Sequence, residues 1–392
     1  MTCLKTIGVT FGVTFFLLSC TEKNNPIRIT VANPLDFDRT FETVELDKQQ
    51  LNVENLDGLG VFNTQSKQWE VTQTVDNDGD SIADVLLFQP KIKANSEIVF
   101  EIKKIAEAEI PDAPEFCYSR FVPERTDDYT WENNKVAFRV YGPTAQRLKE
   151  EGDPTGTLSS GVDAWLKKVE YPIINKWYKK TTEGTGSYHK DTGEGLDNFH
   201  IGISRGVGGI AVKTDTTYYY SKNYTAYRTI ATGPIRTSFY LEYANWDAGG
   251  KPITESMVVS LDLGQNLSKF KISITGTDTV EAGLTLHEND GEVSGNAQNG
   301  WVSYWQPHAK SELGTGIVAA NNYFSNYTTY VTPATDESNA YATLKVIDNT
   351  VEYYAGFGWK ESGEFNSKQD WELYLDTFSK CLKQPLLVKI EQ

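Results

Sequence analysis

Apolar and polar residues alternate along most of this chain. Short runs rich in Val, Ile, Phe, Tyr and Thr recur between turn residues. They include VTQTV at 71–75, DVLLFQP at 84–90, SEIVFEI at 96–102, KVAFRVYG at 135–142, GGIAVKT at 208–214 and TYYYSK at 217–222. RTSFYLEYAN at 236–245, ITESMVVSLDL at 253–263, SKFKISITG at 268–276, AYATLKVI at 340–347, VEYYAGFGW at 351–359 and QPLLVKI at 384–390 continue the series. Side chains that alternate at a period of two put one face of a strand inward and one outward. Many runs exceed the usual strand length, which suits long antiparallel strands in a large curved sandwich. Two segments read as helices. In Gly161–Lys180, Trp165, Val169, Ile173 or Ile174, and Trp177 form an i, i+4 stripe that Pro172 should kink or split; KQDWELYLDTFSKCLK at 368–383 is the other. The expectation is an all-β chain with few helices. Two prolines in IAEAEIPDAPEFCYSR, 105–120, mark a linker between a small N-terminal β region over 27–105 and a large β region over 120–392.

The first residues depart from this pattern. Lys5 precedes an apolar run, Ile7–Leu18, of signal-peptide rather than membrane-span length, and Leu17-Leu18-Ser19-Cys20 has the spacing of a bacterial lipobox. Residues 1–19 are therefore expected to be a lipoprotein signal peptide, Cys20 the lipidated residue and 20–26 a tether. The membrane contact would then be the lipid anchor alone, in the cell envelope. Cys117 and Cys381 would remain, either as a disulfide closing a long loop or as two separate thiols. The net charge of −16 argues against nucleic acid or an anionic membrane as partner, yet a local basic cluster could still hold an anionic substrate.

Several stretches carry chemistry. In DNDGDSIAD, Asp76, Asp78, Asp80 and Asp84 occupy positions 1, 3, 5 and 9 of a loop resembling short calcium sites, although position 12 is Phe88; a structural Ca2+ or a plain hairpin turn fits. FVPERTDDYTWENNKVAFRVYGP at 121–143 begins as an irregular charged loop. In it Arg125 and Trp131 offer a carboxylate clamp and a ring for sugar stacking, or Arg125 pairs internally with Asp127 or Asp128; Arg139 lies within an apolar strand and needs an anionic partner if it faces inward. SYHKDTGEGLDNFHIGISRGVGGIAV at 187–212 crowds Tyr188, His189, Glu194, Asp197 and Arg205 onto a Gly-broken segment, and histidine is the side chain that changes charge near neutrality. No P-loop follows the glycines, since the Gly-Lys-Ser/Thr step is missing. His287 and His308 stand beside Trp301, Tyr304 and Trp305, an arrangement that suits either a sugar surface or core packing. Zinc held by His189, His287 and His308 has no local ligand spacing behind it.

ERTDDYTWENNKVAFRVYGP, YHKDTGEGLDNFHIGISRGVGG, TGPIRTSFYLEY and YYAGFGWKESGEF together resemble the bacterial lipoprotein family known as domain of unknown function 4861, over nearly the whole chain from Ile27. The resemblance implies a galactose-mutarotase-like β-supersandwich and an oligosaccharide dehydratase of ulvan breakdown, a lyase that removes water from a terminal uronic acid to leave a 4,5-unsaturated sugar. The chemistry needs a cation on the C6 carboxylate, a base for the C5 proton and an acid for the 4-hydroxyl. Arg205 is the candidate neutraliser, His189 or Tyr188 the base or acid, and Glu194 or Asp197 the orienting group. Arg125, Arg139 and Lys360 could further hold carboxylate or sulfate. No cofactor is required for this chemistry. A polysaccharide lyase that cleaves a glycosidic bond, a glycoside hydrolase, and a surface lipoprotein that binds glycan without turnover are the alternatives.

Overall fold

A computed structural model describes residues 26–391. The expected signal peptide, Cys20 and nearly all of the tether lie outside the described residues. Among the described residues no helix is long and apolar enough to cross a membrane. The structure is mostly antiparallel β-sheet with three α-helices, as the alternation anticipates.

The N-terminal region builds its own core. Ile27–Asn33, Ser96–Lys104, Leu59–Asn63 and Gln68–Trp69 form one sheet, and Val44–Asp47, Val85–Phe88 and Thr72–Val75 a second. Ile29, Val31, Leu46, Val61, Phe88 and Phe100 meet between them. The division at 105–120 needs one correction. The chain's last strand, Leu387–Glu391, returns to pair with Ile27–Asn33, so the N-terminal sheet is completed by the far end of the sequence. An exposed edge strand presents unpaired N–H and C=O groups, and this pairing covers them.

The large region has three layers. A long sheet runs in the order Tyr224–Ala231, Arg236–Tyr243, Pro252–Asp262, Leu267–Thr275, Thr350–Trp359, Ser311–Val318, Trp301–His308, Glu292–Asn296. A smaller sheet, Thr217–Tyr219, Val207–Thr214, Thr279–Thr285, Asn339–Lys345, Phe324–Tyr330, faces it. Phe239, Leu241, Val259 and Phe270 meet Val280, Ala282, Leu284 and Leu344 in the shared core. The third sheet, in the order Gly195–Leu196, Asp163–Lys167, Ala137–Val140, Asp128–Glu132, Tyr118–Val122, positions the candidate site.

Both faces of that third sheet are buried. Tyr129, Trp131, Phe138, Ala164 and Leu166 join the large core. The alternate positions face a helix, α2 (Ile174–Thr182), with Ala137, Trp165, Trp177, Tyr178 and Tyr188 packed together. The stripe over Gly161–Lys180 is therefore split at Pro172 more completely than a kink: Asp163–Lys167 is a strand, and only 174–182 is helical. Two-sided burial selected the strand, because Trp165 and Leu166 point to opposite layers. A preceding helix, α1 (Pro143–Glu150), starts at a proline and was not anticipated. The C-terminal helix, α3 (Lys368–Lys383), has the anticipated bounds and packs Trp371 and Leu375 over Gly314 and Gly316, where a Cβ would come within 3 Å of them.

Cys117 and Cys381 are free thiols, which corrects the disulfide alternative. Cys117 is sealed beside Gly233, and burial pushes its thiol well up. Cys381 borders a cavity of about 400 Å3 between the N-terminal region, the long sheet and α3, lined also by Arg39, Arg236, Lys269 and Tyr374. A reductant should leave the melting temperature unchanged; a fall of several degrees would restore the disulfide.

Candidate functional site

The site is built where two loops converge on the helix-facing side of the third sheet. Pro123–Arg125 makes a single 3-10 turn, and Thr126 and Asp127 follow in left-handed conformation at φ 51° and 64°. This sharp reversal sets Arg125 beside the 187–197 segment. Arg125 Nε donates to the Tyr188 hydroxyl at 3.1 Å, and no carboxylate among the described residues pairs with this guanidinium. Tyr188 is buried, its ring stacked on Trp165 at 5.0 Å and edge-on to Tyr178 at 5.8 Å. Its oxygen also lies 3.5 Å from Arg139 Nη1, so two guanidinium groups flank one hydroxyl.

His189 turns the other way. Its side chain is 59% exposed. Its ring sits 4.5 Å from that of Tyr188. The backbone clasps this pair to residue 197: Asp197 N–H donates to the Tyr188 carbonyl at 2.8 Å, and His189 Nδ1 meets the Asp197 carbonyl at 2.7 Å. A carbonyl can only accept, so Nδ1 carries the hydrogen and the Nε2 lone pair of the neutral ring is directed away. Asp197 Oδ2 lies 3.5 Å from the same Nδ1.

Beneath them Arg139 is enclosed by three carboxylates: Asp163 at 2.6 Å, Asp197 at 3.0 Å and Asp128 at 3.7 Å. Burial alone would lower the Arg139 pKa, but the surrounding acids and Tyr141 reverse this and hold it well up. One cation cannot offset three buried anions. Burial pushes Asp128 to about 6 and drives Asp163 well above the ordinary range, the latter with help from the Asp197 charge. Asp128 Oδ1 and Asp163 Oδ1 are buried and have no hydrogen-bond partner among the described residues. An acid whose folded pKa is raised stabilises most below its unfolded value, near 3.8 for Asp128, and this contribution is lost as pH rises through about 6. Relative to Asp128→Asn, the wild type should therefore lose on the order of 2–3 kcal/mol between pH 4 and pH 7 in denaturant titrations. Parallel curves for the two proteins would remove Asp128 from this linkage.

The remaining expected residues lie elsewhere. Arg205 is 1% exposed, donates to Ser160 Oγ and the Ile203 and Ile210 carbonyls, and shares no contact with His189. The single pocket expected to join His189 with Arg205 is thus corrected: Arg205 is sealed under the smaller sheet's outer face and cannot reach a carboxylate at His189. Trp131 is fully buried and donates to Ser268 Oγ at 2.9 Å, so it stacks on core residues and not on a sugar. Arg139 is an internal ion-cluster residue, not a substrate clamp. Glu194 faces α2, bonded to Tyr171 and Lys176, and does not orient His189. His287 is held by Gln306 and the His200 carbonyl, and burial lowers its pKa; His308 is pushed down to about 4 by burial and by His287. The two rings are 6.0 Å apart and His189 touches neither, which disposes of the three-histidine zinc site. Lys360 forms an exposed ion pair with Glu312.

Asp76, Asp78 and Asp84 bring carboxylate oxygens within 4.8 Å of one another on the loop Asp76–Asp84, a hard-oxygen set that fits calcium. Asp80 is turned away to cap Ile82 N–H, and Lys48 already lies 2.9 Å from Asp84. The loop belongs to the N-terminal region and touches nothing in the 187–197 segment.

Asp163 and Tyr178 were not singled out from the sequence, and Asp128 was weighed only as a partner of Arg125, whereas it lies 3.7 Å from Arg139; all three decide the electrostatics of the cluster. Their signal was the alternation itself. Asp128, Thr130 and Glu132 share one face with Asp163, Trp165 and Lys167 on a nearby strand, and Lys167–Glu132 forms a fully buried ion pair at 2.8 Å.

Comparison with known proteins bears on the whole chain. A family model described as "Domain of unknown function (DUF4861)" matches residues 31–388. A protein of Formosa agariphila named "Uncharacterized protein P7" is 53% identical over 378 residues, covering 95% of this chain and 96% of its own. Among solved structures, a glycosyl hydrolase family 38 protein from Enterococcus faecalis aligns with a TM-score of 0.50 at 10% identity, over 94% of this chain and 47% of that one. An alpha-mannosidase from Enterococcus faecalis V583 aligns with a TM-score of 0.45 at 10% identity, over 94% of this chain and 46% of that one. The chain spans about half the length of these two structures, and the first likeness is one of fold.

Proposed function

This chain belongs to the DUF4861 family, and on that premise we propose that it is a carbohydrate-active enzyme that dehydrates the terminal uronic acid of ulvan-type oligosaccharides. The observation that carries the reading is the pairing of a carboxylate-free Arg125 with a His189 whose Nε2 is open and whose Nδ1 is fixed.

The C5 hydrogen of a uronate becomes acidic enough to remove only if charge developing on the carboxylate is offset. The Arg125 Nη groups take the C6 carboxylate, while Nε stays tied to Tyr188. His189 Nε2 accepts the C5 proton, and the imidazolium so formed is stabilised by Asp197 on its far side. The electron pair of the broken C5–H bond forms the C4=C5 double bond as the C4–O bond breaks. His189 returns its proton to the departing 4-hydroxyl, which leaves as water. A single imidazole can carry both transfers, so buried Tyr188 serves as the positioning residue that fixes Arg125. The carboxylates of the cluster are engaged by Arg139, which leaves no open pair of the kind a glycoside hydrolase uses. The lipobox-like Leu17–Cys20 segment supports an envelope setting for the reaction.

The test is incubation of the full chain with uronate-terminated ulvan oligosaccharides, read by mass spectrometry. A product lighter by one water, absorbing in the ultraviolet, supports dehydration. Two shorter fragments would assign a lyase, with a glycosidic oxygen as leaving group, and unchanged mass with measurable binding would assign a non-catalytic glycan binder.

A further inference from the structure

A second concentration of aromatic and basic groups lies outside the site above. Val280, Ala282 and Leu284, with Ala340, Ala342 and Leu344, point into the core. Strand alternation therefore turns Glu281, Gly283, Tyr341 and Thr343 to the opposite face of the smaller sheet. Tyr341 stacks on Tyr218 at 4.4 Å with planes 10° apart, and Tyr330 lies 4.9 Å from Tyr218. Lys213 Nζ is 5.3 Å from the Tyr218 ring. Tyr218 and Tyr330 are half-buried and Tyr220 is 36% exposed, so this row is a ledge and not a closed core.

Arg205 runs beneath the ledge. A Cβ on Gly283 would sit 2.6 Å from the Arg205 side chain, so that glycine opens the groove the arginine occupies. The Tyr220 ring covers the guanidinium at 4.0 Å. All the hydrogen-bond acceptors found for that guanidinium are uncharged: Ser160 Oγ and two backbone carbonyls. Among the described residues no carboxylate pairs with it, in contrast to Arg139 and its three. The buried Glu255 carboxylate offsets part of its charge, and Arg205, itself sealed, holds the Tyr220 ring at the surface above it. Glu281, on the same face, is engaged by Thr343 at 2.8 Å.

We propose that this face is a second glycan-binding site, in which Tyr218, Tyr220 and Tyr330 pack pyranose rings and the exposed Lys213 receives a carboxylate or sulfate of the same acidic polymer, with sealed Arg205 bracing the Tyr220 ring from below. The inference rests on the acidic-glycan reading above and adds to it a place where the chain is held apart from His189. Rings present a flat apolar surface to sugar C–H groups, and cations supply the selectivity for acidic over neutral chains.

The test is affinity electrophoresis of the full chain through gels containing a polyuronate, a sulfated neutral polysaccharide, or neutral dextran. Retardation by one or both acidic polymers and free migration in dextran is expected; the acidic gel that retards identifies the group bound. Tyr218→Ala and, on the open surface, Lys213→Glu should each weaken retention about tenfold. Free migration of the wild type in both acidic gels, or retention by dextran alone, overturns the inference, as does full retention of both variants. Retention needs no turnover, so a protein that forms no unsaturated product can still be retarded, and an active one can still migrate freely.

Discussion

Replacing His189 with alanine should lower the rate of unsaturated-product formation by about 10^2 to 10^4-fold while leaving the melting temperature within a degree or two of wild type. The side chain is largely exposed and makes one fixed bond, to the Asp197 carbonyl, so its removal costs little packing. The loss should fall on the chemical step, because the imidazole carries the proton from C5 to the leaving oxygen. Arg125→Ala should damage the same reaction differently, by raising KM as well as lowering kcat, since its guanidinium binds the carboxylate in substrate and in transition state. Retained turnover in His189→Ala, with the fold intact, would remove this residue from the mechanism.

Arg139→Met should be the most destabilising single change in the cluster, about 3–5 kcal/mol. It leaves Asp128, Asp163 and Asp197 buried together with no cation among them. The loss should be larger at pH 8 than at pH 5, because the uncompensated carboxyls can take up protons at the lower pH. Adding Asp163→Asn to Arg139→Met should recover part of it at pH 8, since one of the three buried carboxyls can then no longer ionise. Equal losses at both pH values, or no recovery in the double variant, would mean that packing of the long Arg139 stem, and not its charge, holds the site.

Strand positions were legible wherever one face is wet or the run is continuously apolar. Pro252–Asp262 and Leu267–Thr275 alternate cleanly, and their bounds agree with the anticipated segments to within a residue or so. The third sheet was hardest to read, for a physical reason. With layers packed on both sides, its inward positions include Asp128, Glu132, Arg139, Asp163 and Lys167, which look like surface residues in a one-sided reading. Asp128–Glu132 was accordingly taken for an irregular charged loop, and Asp163–Lys167 for part of a helix. The closing of the N-terminal sheet by Leu387–Glu391 spans the whole chain and has no local signal.

At the candidate site, the density of titratable groups in 187–197 singled out a segment without showing which of its members meet. Tyr188, His189 and Asp197 converge because backbone bonds fold the segment onto itself, whereas Glu194 and Arg205, as near in sequence, are carried to α2 and to the smaller sheet. In the proposed reaction Arg125, offered from the sequence as a further carboxylate holder, takes the place first given to Arg205. Its availability follows from a missing partner, which only three-dimensional contacts reveal.

The most direct measurement is the mass of a purified, uronate-terminated oligosaccharide before and after incubation with wild-type protein and with His189→Ala. The account requires loss of one water with wild type and an unaltered oligosaccharide with the variant. An unaltered oligosaccharide with both, or the same water loss with both, contradicts it.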